Sequence, residues 1–296
     1  MNLPFLKPSP VEYHETYTDP FTGRRLSHVY TLIRNSKLVP GVTTIGNHLA
    51  KDFLKFWSAK EAVKDLGFFD PKQTPTAEGK KRLLELHEAI KQDTPEQFYE
   101  RLAKAKDSHV RKSTEAADFG TQAHDWMDEY VTLRLEKKDT QPSLPTLPPV
   151  LSAIQAFLEW ESTNNIVWLA NDTVVGSEEH EFGGRLDSLA SINGIPTLVD
   201  FKTSSQISED YFIQTAGYHL ALKEMGVDFW QRLILRVPKD GKEFEALIVP
   251  TPIDLDTKAF LALREIQRWK SYIGNQDNDI TDVRGKVKVG SSKAAA

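Results

Sequence analysis

The sequence contains no cysteine, which removes disulfides, thiolate zinc sites, Cys-ligated iron–sulfur clusters and cysteine nucleophiles from consideration. No apolar run approaches the roughly 18 residues a membrane-spanning helix needs. Met1–Pro10 has neither a charged segment leading into an apolar one nor an Arg-rich amphipathic pattern. The expectation is a cytoplasmic protein with no membrane partner. An excess of positive charge is also missing: 37 Lys and Arg face 42 Asp and Glu, a formal net charge of −5. Bulk charge therefore does not hold nucleic acid here, although a local basic groove is compatible with this balance. Neither a Gly-x-x-x-x-Gly-Lys-Ser/Thr phosphate loop nor a Gly-x-Ser-x-Gly nucleophile elbow occurs.

What is present is an ordinary globular mixture, 40% hydrophobic and 27% charged over 296 residues. Residues 1–149 read as a mostly helical N-terminal region. A strand-like stretch at His28–Arg34 precedes a helical pattern carried by Leu49, Phe53, Phe56, Trp57, Ala62, Val63 and Leu66. Further helices are expected at Ala77–Gln92, Pro95–Lys106 and Ser113–Lys137, followed by a Pro-rich connection over Asp139–Pro149. Residues 150–275 change texture. After a helix at Val150–Ser162 come strands at Ile166–Ala170, Thr173–Ser177, Phe182–Ile192 and Ile195–Thr203, then a helix at Glu209–Met225. Strands at Phe229–Val237 and Glu243–Val249, joined by a Lys239-Asp240-Gly241 turn, lead to a last helix at Asp254–Ile273. Residues 276–296 form a polar tail. The fold class is α/β, a mixed sheet flanked by helices.

One hairpin carries chemistry. Asn193-Gly194 between two β-patterned runs signals a type I′ turn, which needs positive φ at both central residues. With Ile192 opposite Ile195, counting outward places Asp187 opposite Asp200, roughly 4.5–5.5 Å apart at Cα. Lys202, two residues on, shares that face. Two ionised carboxylates side by side repel. A divalent cation removes the conflict, and an oxygen-rich donor set suits Mg²⁺ or Mn²⁺. The Asp-x-Lys string is uninformative by itself, because Asp70, Glu78, Glu136, Asp240 and Asp256 open the same acid-x-Lys pattern. The opposed Asp187 sets the hairpin apart, provided no bulge shifts the register.

Further residues fall into order around this hairpin. Gly184 lies three before Asp187, Thr203 follows Lys202, and Gln214 and Tyr218 sit four apart on one face of the next helix, with Tyr211 extending the stripe. Upstream stands Gly120-Thr121-Gln122-Ala123-His124, with Asp128 one turn further. This ensemble resembles the RecB-like branch of the PD-(D/E)xK nucleases. The segment Val39–Ile45, with Lys51 and Phe56-Trp57, is similar to the N-terminal region of phage-encoded members. The resemblance implies a restriction-endonuclease-like core that cuts DNA with Mg²⁺ or Mn²⁺, in a bacterium or phage-infected host. It also implies Asp187, Asp200 and the Phe201 carbonyl as metal ligands, His124 as an additional ligand, and Lys202 as the catalytic lysine. Gln214 and Tyr218 would contact the strand or order the lysine and water.

The relatives' second core acid is often Glu, where this chain has Asp200, and Asp172 stands where many carry an upstream Glu. The four cysteines of the iron–sulfur subset are absent, so no such cluster is expected. Exonucleolytic action on single strands or free ends during recombination, replication or repair is the leading functional expectation. A helicase, recombinase or single-strand-binding protein would be a natural partner. A structure-selective endonuclease and a catalytically silent DNA-binding module are the alternatives. Candidate backbone contacts are Gly120, Thr203, Arg101, Lys104 and Lys112, near Lys106 and Arg111, with Lys51, Lys55, Lys60 and Lys64 on the first helix. Each of these basic groups serves equally well as a solvated helix face. Phe56 and Trp57 suit core packing before base stacking.

Overall fold

The structure, a computed structural model, describes residues 6–19, 23, 25–49, 52–66, 77–204, 206–229, 231–237 and 244–275. Lys51, the Lys239-Asp240-Gly241 turn, the 276–296 tail and the side chains of Phe53 and Lys55 lie outside the described residues.

The N-terminal part holds three strands, β1 (Val11–Thr18), β2 (Arg25–Leu32) and β3 (Leu38–Val39), which form an antiparallel sheet in that order. Helices α1 (Val42–Gly46), α2 (Asp52–Asp65), α3 (Ala77–Gln92), α4 (Pro95–Lys106), α5 (Ser108–Leu135) and α6 (Pro148–Thr163) follow. The second half comprises β4 (Ile166–Ser177), β5 (Phe182–Ile192), β6 (Ile195–Lys202), α7 (Glu209–Glu224), β7 (Gln231–Arg236), β8 (Glu245–Ile248) and α8 (Ile253–Asn275). The five strands lie in sequence order. Only the β6–β7 pair is parallel, because α7 carries the chain back across the sheet between them. The expected α/β class with a mixed sheet is what the chain adopts.

Local signals account for several boundaries. Thr94 and Gln97 close a reciprocal capping box on α4, with Pro95 in its first turn, where a missing N–H costs nothing. The β5–β6 hairpin turns on Asn193 (φ 52°) and Gly194 (φ 84°), both left-handed as a type I′ turn requires. The run expected as two strands, Ile166–Ala170 and Thr173–Ser177, is one strand. It is interrupted by a register shift between Trp168 and Ala170 and by Asp172 at φ 47°.

Two apolar layers sandwich the five-stranded sheet. On one face α5 and α6 bring Ala123, Met127, Val131, Val150, Ile154 and Phe157 against Trp168, Val199, Phe201 and Leu235. On the other, α1, α7 and α8 bring Ile45, Ala221, Leu222 and Phe260 against Val175, Leu189 and Leu198. Helix α5, from the N-terminal region, is thus part of the same core as the strands. Arg232 on β7 is buried beneath α8. It donates to the Phe212 and Thr251 carbonyls, both at 2.9 Å, and to Asp256 at 2.8 Å.

Candidate functional site

The hairpin register runs from Ile192–Ile195 to Ser188–Val199, and there the ladder stops. At the next rung Asp187 reaches sideways instead, and its Oδ2 accepts the Phe201 backbone N–H at 2.7 Å. Strict alternation breaks at the same place, since Leu186 and Leu189, three apart, both pack in the α7 core. The N–H and C=O of one strand residue point the same way, so the Phe201 carbonyl also faces Asp187, where strand pairing has ended.

Asp200 alternates with Leu198 and so faces α7. It is 1% exposed, and neither carboxylate oxygen has a well-directed hydrogen bond, although Lys202 Nζ stands 2.6 Å from Oδ2. The Lys202 ammonium also lies 5.0 Å from the centre of the Tyr211 ring. One turn along α7, Gln214 Nε2 donates to the Tyr218 hydroxyl at 3.0 Å, and Tyr218 is buried. Gly184 makes room for that phenol: a Cβ there would sit 2.7 Å from Tyr218 Cε1 and 2.9 Å from Val42 Cγ2. The short Gly184-x-x-Asp187 spacing therefore couples an acid to the ring that walls it.

Helix α5 closes the other side. A Cβ at Gly120 would lie 2.8 Å from Thr203 Oγ1, so glycine lets the helix settle on the end of β6. One turn on, the His124 ring meets Phe201 edge-on at 6.2 Å, which puts it on the α5 face of the sheet. A further turn brings Asp128 beside Asp187 and Asp172. Asn171 ties this stretch to the sheet, donating to the Asp128 carbonyl at 3.0 Å and accepting from Ser188 at 2.6 Å. Asp172 itself is paired with Arg185.

These neighbours shift each other's protons. Burial pushes the Asp200 carboxyl up to about 6; Lys202 opposes the rise and Asp187 adds to it. Burial alone would lower Lys202, but Asp200 and Asp187 outweigh it and hold the ammonium above its ordinary value. The Tyr218 phenol rises through burial and the same two acids. Asp128 is raised to about 6, first by burial and then by Asp187 and Asp172, with Arg185 opposing. The site is a partly dry cluster with more carboxylate than its cations balance.

The structure thus brings together Asp187, Asp200, Phe201, Lys202, Gln214 and Tyr218, with His124, Gly120 and Thr203 at the edge. The basic candidates stand apart from it. Arg101 makes a two-pronged pair with Asp93 at 2.8 and 3.0 Å, and Lys112 is bonded to the buried Glu61. Lys104 is exposed, and its carbonyl accepts from Arg111, which also pairs with Asp65. Asp128, Tyr211 and Arg185 were not assigned roles from sequence. The available signals were one helical turn beyond His124, one turn before Gln214, and adjacency to Gly184.

Among the described residues, the group of three His, Asp or Glu donors that all lie within 4.8 Å of one another is Glu179, His180 and Glu224, on the β4–β5 turn and the end of α7. The donors of His124, Asp187 and Asp200 are more widely spaced than that, with Asp187 turned to a backbone amide and Asp200 to Lys202. No helix among the described residues is long and apolar enough to cross a membrane. No protein-family model matches the chain, and no curated protein does. Among solved structures, one titled "Crystal structure of SSO0001" is similar at 15% identity and a TM-score of 0.27, covering 52% of this chain and 74% of that one. Likeness at that level carries no argument about function.

Proposed function

We propose that the chain is a Mg²⁺- or Mn²⁺-dependent deoxyribonuclease on a restriction-endonuclease-like core, acting as an exonuclease on single strands or free ends. The observation that carries this reading is Asp200: a carboxylate 1% exposed, without a well-directed hydrogen bond, beside a second acid and a partly buried lysine. A buried charge left so incompletely satisfied is costly. A hard cation is the partner that oxygen donors of this kind accept.

Asp187, Asp200 and the Phe201 carbonyl would hold the cation, with His124 as the additional ligand from α5. When bound, it supplies Lewis-acid stabilisation of the charge that develops on a phosphate. Lys202 would direct its ammonium to the phosphate or the attacking water. Tyr211 and Tyr218 limit where that ammonium goes, and Gln214 holds the Tyr218 hydroxyl. Gly120 and Thr203 shape the rim where a strand would pass. A helicase, recombinase or single-strand-binding protein as partner belongs to the same reading.

The test is degradation of end-labelled linear single-stranded DNA beside a covalently closed circle, in Mn²⁺, Mg²⁺ or EDTA. Loss of the linear strand alone, in metal alone, is the expected result. Rapid cutting of the circle would replace the exonuclease by an endonuclease on the same core. Binding without turnover at saturating Mn²⁺ would overturn the enzyme reading.

A further inference from the structure

Six non-glycine residues among the described ones have positive φ. Three of them, Lys137, Glu181 and Asn193, lie in turns, and Ser36 directly follows one. The other two lie inside strands: His28 in β2 at φ 52° and Asp172 in β4 at φ 47°. Backbone held in this region within a strand is over-determined by its surroundings, and such positions gather at functional sites.

Both flank one stack. The Arg185 guanidinium lies over the Tyr13 ring, 5.2 Å from its centre, and pairs with Asp172 on one side. On the other side the Tyr13 hydroxyl and His28 Nδ1 share a 2.6 Å hydrogen bond, with the two rings 6.2 Å apart. Tyr13 also rests on Tyr30, 5.4 Å away and buried. Tyr30 in turn fills the notch at Gly183, where a Cβ would fall 2.6 Å from the ring. The stack is therefore braced from below and open above: the Arg185 side chain is 42% exposed and His28 is exposed. It adjoins the candidate site, because Arg185 precedes Asp187 by two residues, roughly 7 Å of strand, and Asp172 lies across from Asp187, between the Asn171–Ser188 and Thr173–Leu186 pairs.

We propose that Arg185, Tyr13 and His28 form a nucleotide subsite for single-stranded DNA, next to the phosphate position at Asp187 and Asp200; this rests on the nuclease reading above. Arg185 exchanges Asp172 for a backbone phosphate, which its planar fork matches. The exposed His28 ring, held by the Tyr13 hydroxyl, takes the unpaired base by stacking, a contact every base offers and a paired base does not. The held backbone of His28 and Asp172 keeps the stack in place before the strand arrives.

The experiment is fluorescence anisotropy with a labelled short oligothymidine and its abasic counterpart, in Ca²⁺, on wild type and His28→Asn, which removes the ring and tolerates the left-handed backbone, with cleavage in Mn²⁺ measured beside it. His28→Asn should weaken oligothymidine binding roughly 5- to 150-fold and leave abasic binding unchanged. Equal binding of oligothymidine by His28→Asn and wild type overturns the subsite. So does a parallel loss for both oligonucleotides, which would mean a disturbed fold rather than a lost stack. In either case metal-dependent cleavage by wild type leaves the nuclease reading standing. A wild type that neither binds nor cuts removes that reading, and the subsite with it.

Discussion

Asp128→Asn gives the most informative perturbation of the cluster's charge balance. Asp128 lies beside Asp187 and Asp172, and burial together with these two acids raises its carboxyl to about 6. A folded-state value above the unfolded one, near 4, means that the native state binds more protons between about pH 4 and 6. Stability contributed by the neutral acid is then present at low pH and is lost as pH rises through that window. Two pH units at 1.36 kcal/mol each amount to roughly 3 kcal/mol. Partial exposure screens this, so about 1–3 kcal/mol is expected. Asp128→Asn should therefore raise the metal-free melting temperature at pH 8 by about 2–12 °C, taking 2–4 °C per kcal/mol for a chain of this size. At pH 4, where Asp128 is already neutral, the variant should melt with wild type. The assay is thermal unfolding in EDTA at both pH values, with reversibility checked. An equal gain at pH 4 and 8, or a loss at pH 8, would refute the claim that these acids crowd one another.

The other predictions concern packing and a buried charge. Gly184→Ala drives a methyl into Tyr218 and Val42 and should cost about 1–3 kcal/mol, read from the urea midpoint. Adding Tyr218→Leu should recover part of that loss, and additive effects would rule out the proposed contact. Asp256→Ala leaves Arg232 charged and buried, so a loss of about 3–5 kcal/mol is expected. A change under 1 kcal/mol in denaturant unfolding would show that the pair does not matter. Phe201→Ala empties the point where Phe157, Trp168 and His124 meet and should cost about 3–5 kcal/mol; a melt unchanged from wild type would contradict that packing.

Features set by short-range rules were legible in the sequence. The Asn193-Gly194 turn and the Gln214–Tyr218 stripe follow from backbone sterics and helix periodicity, and α3 and α4 run over the residues their patterns suggest. Register counting was sound as far as Ser188–Val199. It could not foresee that Asp187 would leave the ladder for the Phe201 amide. Strand β1 was not anticipated, because its only fully buried residue is Val11 and it forms by pairing with β2. Asn171-Asp172 reads locally as a break, yet pairing with β5 carries β4 through it at the expense of a left-handed Asp172. The ties of Lys112 to Glu61 and of Asp128 to Asp187 join residues more than fifty apart in sequence, so only the packing of α5 brings them together.

In the proposed mechanism Asp200 and Lys202, the two members of one ion pair, do different work, and a single set of measurements separates them. Mn²⁺ titration and single-turnover cleavage of linear single-stranded DNA would be run on wild type, Asp200→Asn and Lys202→Ala. His180→Ala would accompany them, to account for any ion held by Glu179, His180 and Glu224. Asp200→Asn should lose both the Mn²⁺ site and cleavage, and Lys202→Ala should keep the ion and lose cleavage. Full cleavage by Lys202→Ala, or unchanged Mn²⁺ binding by Asp200→Asn in a folded protein, would contradict the account.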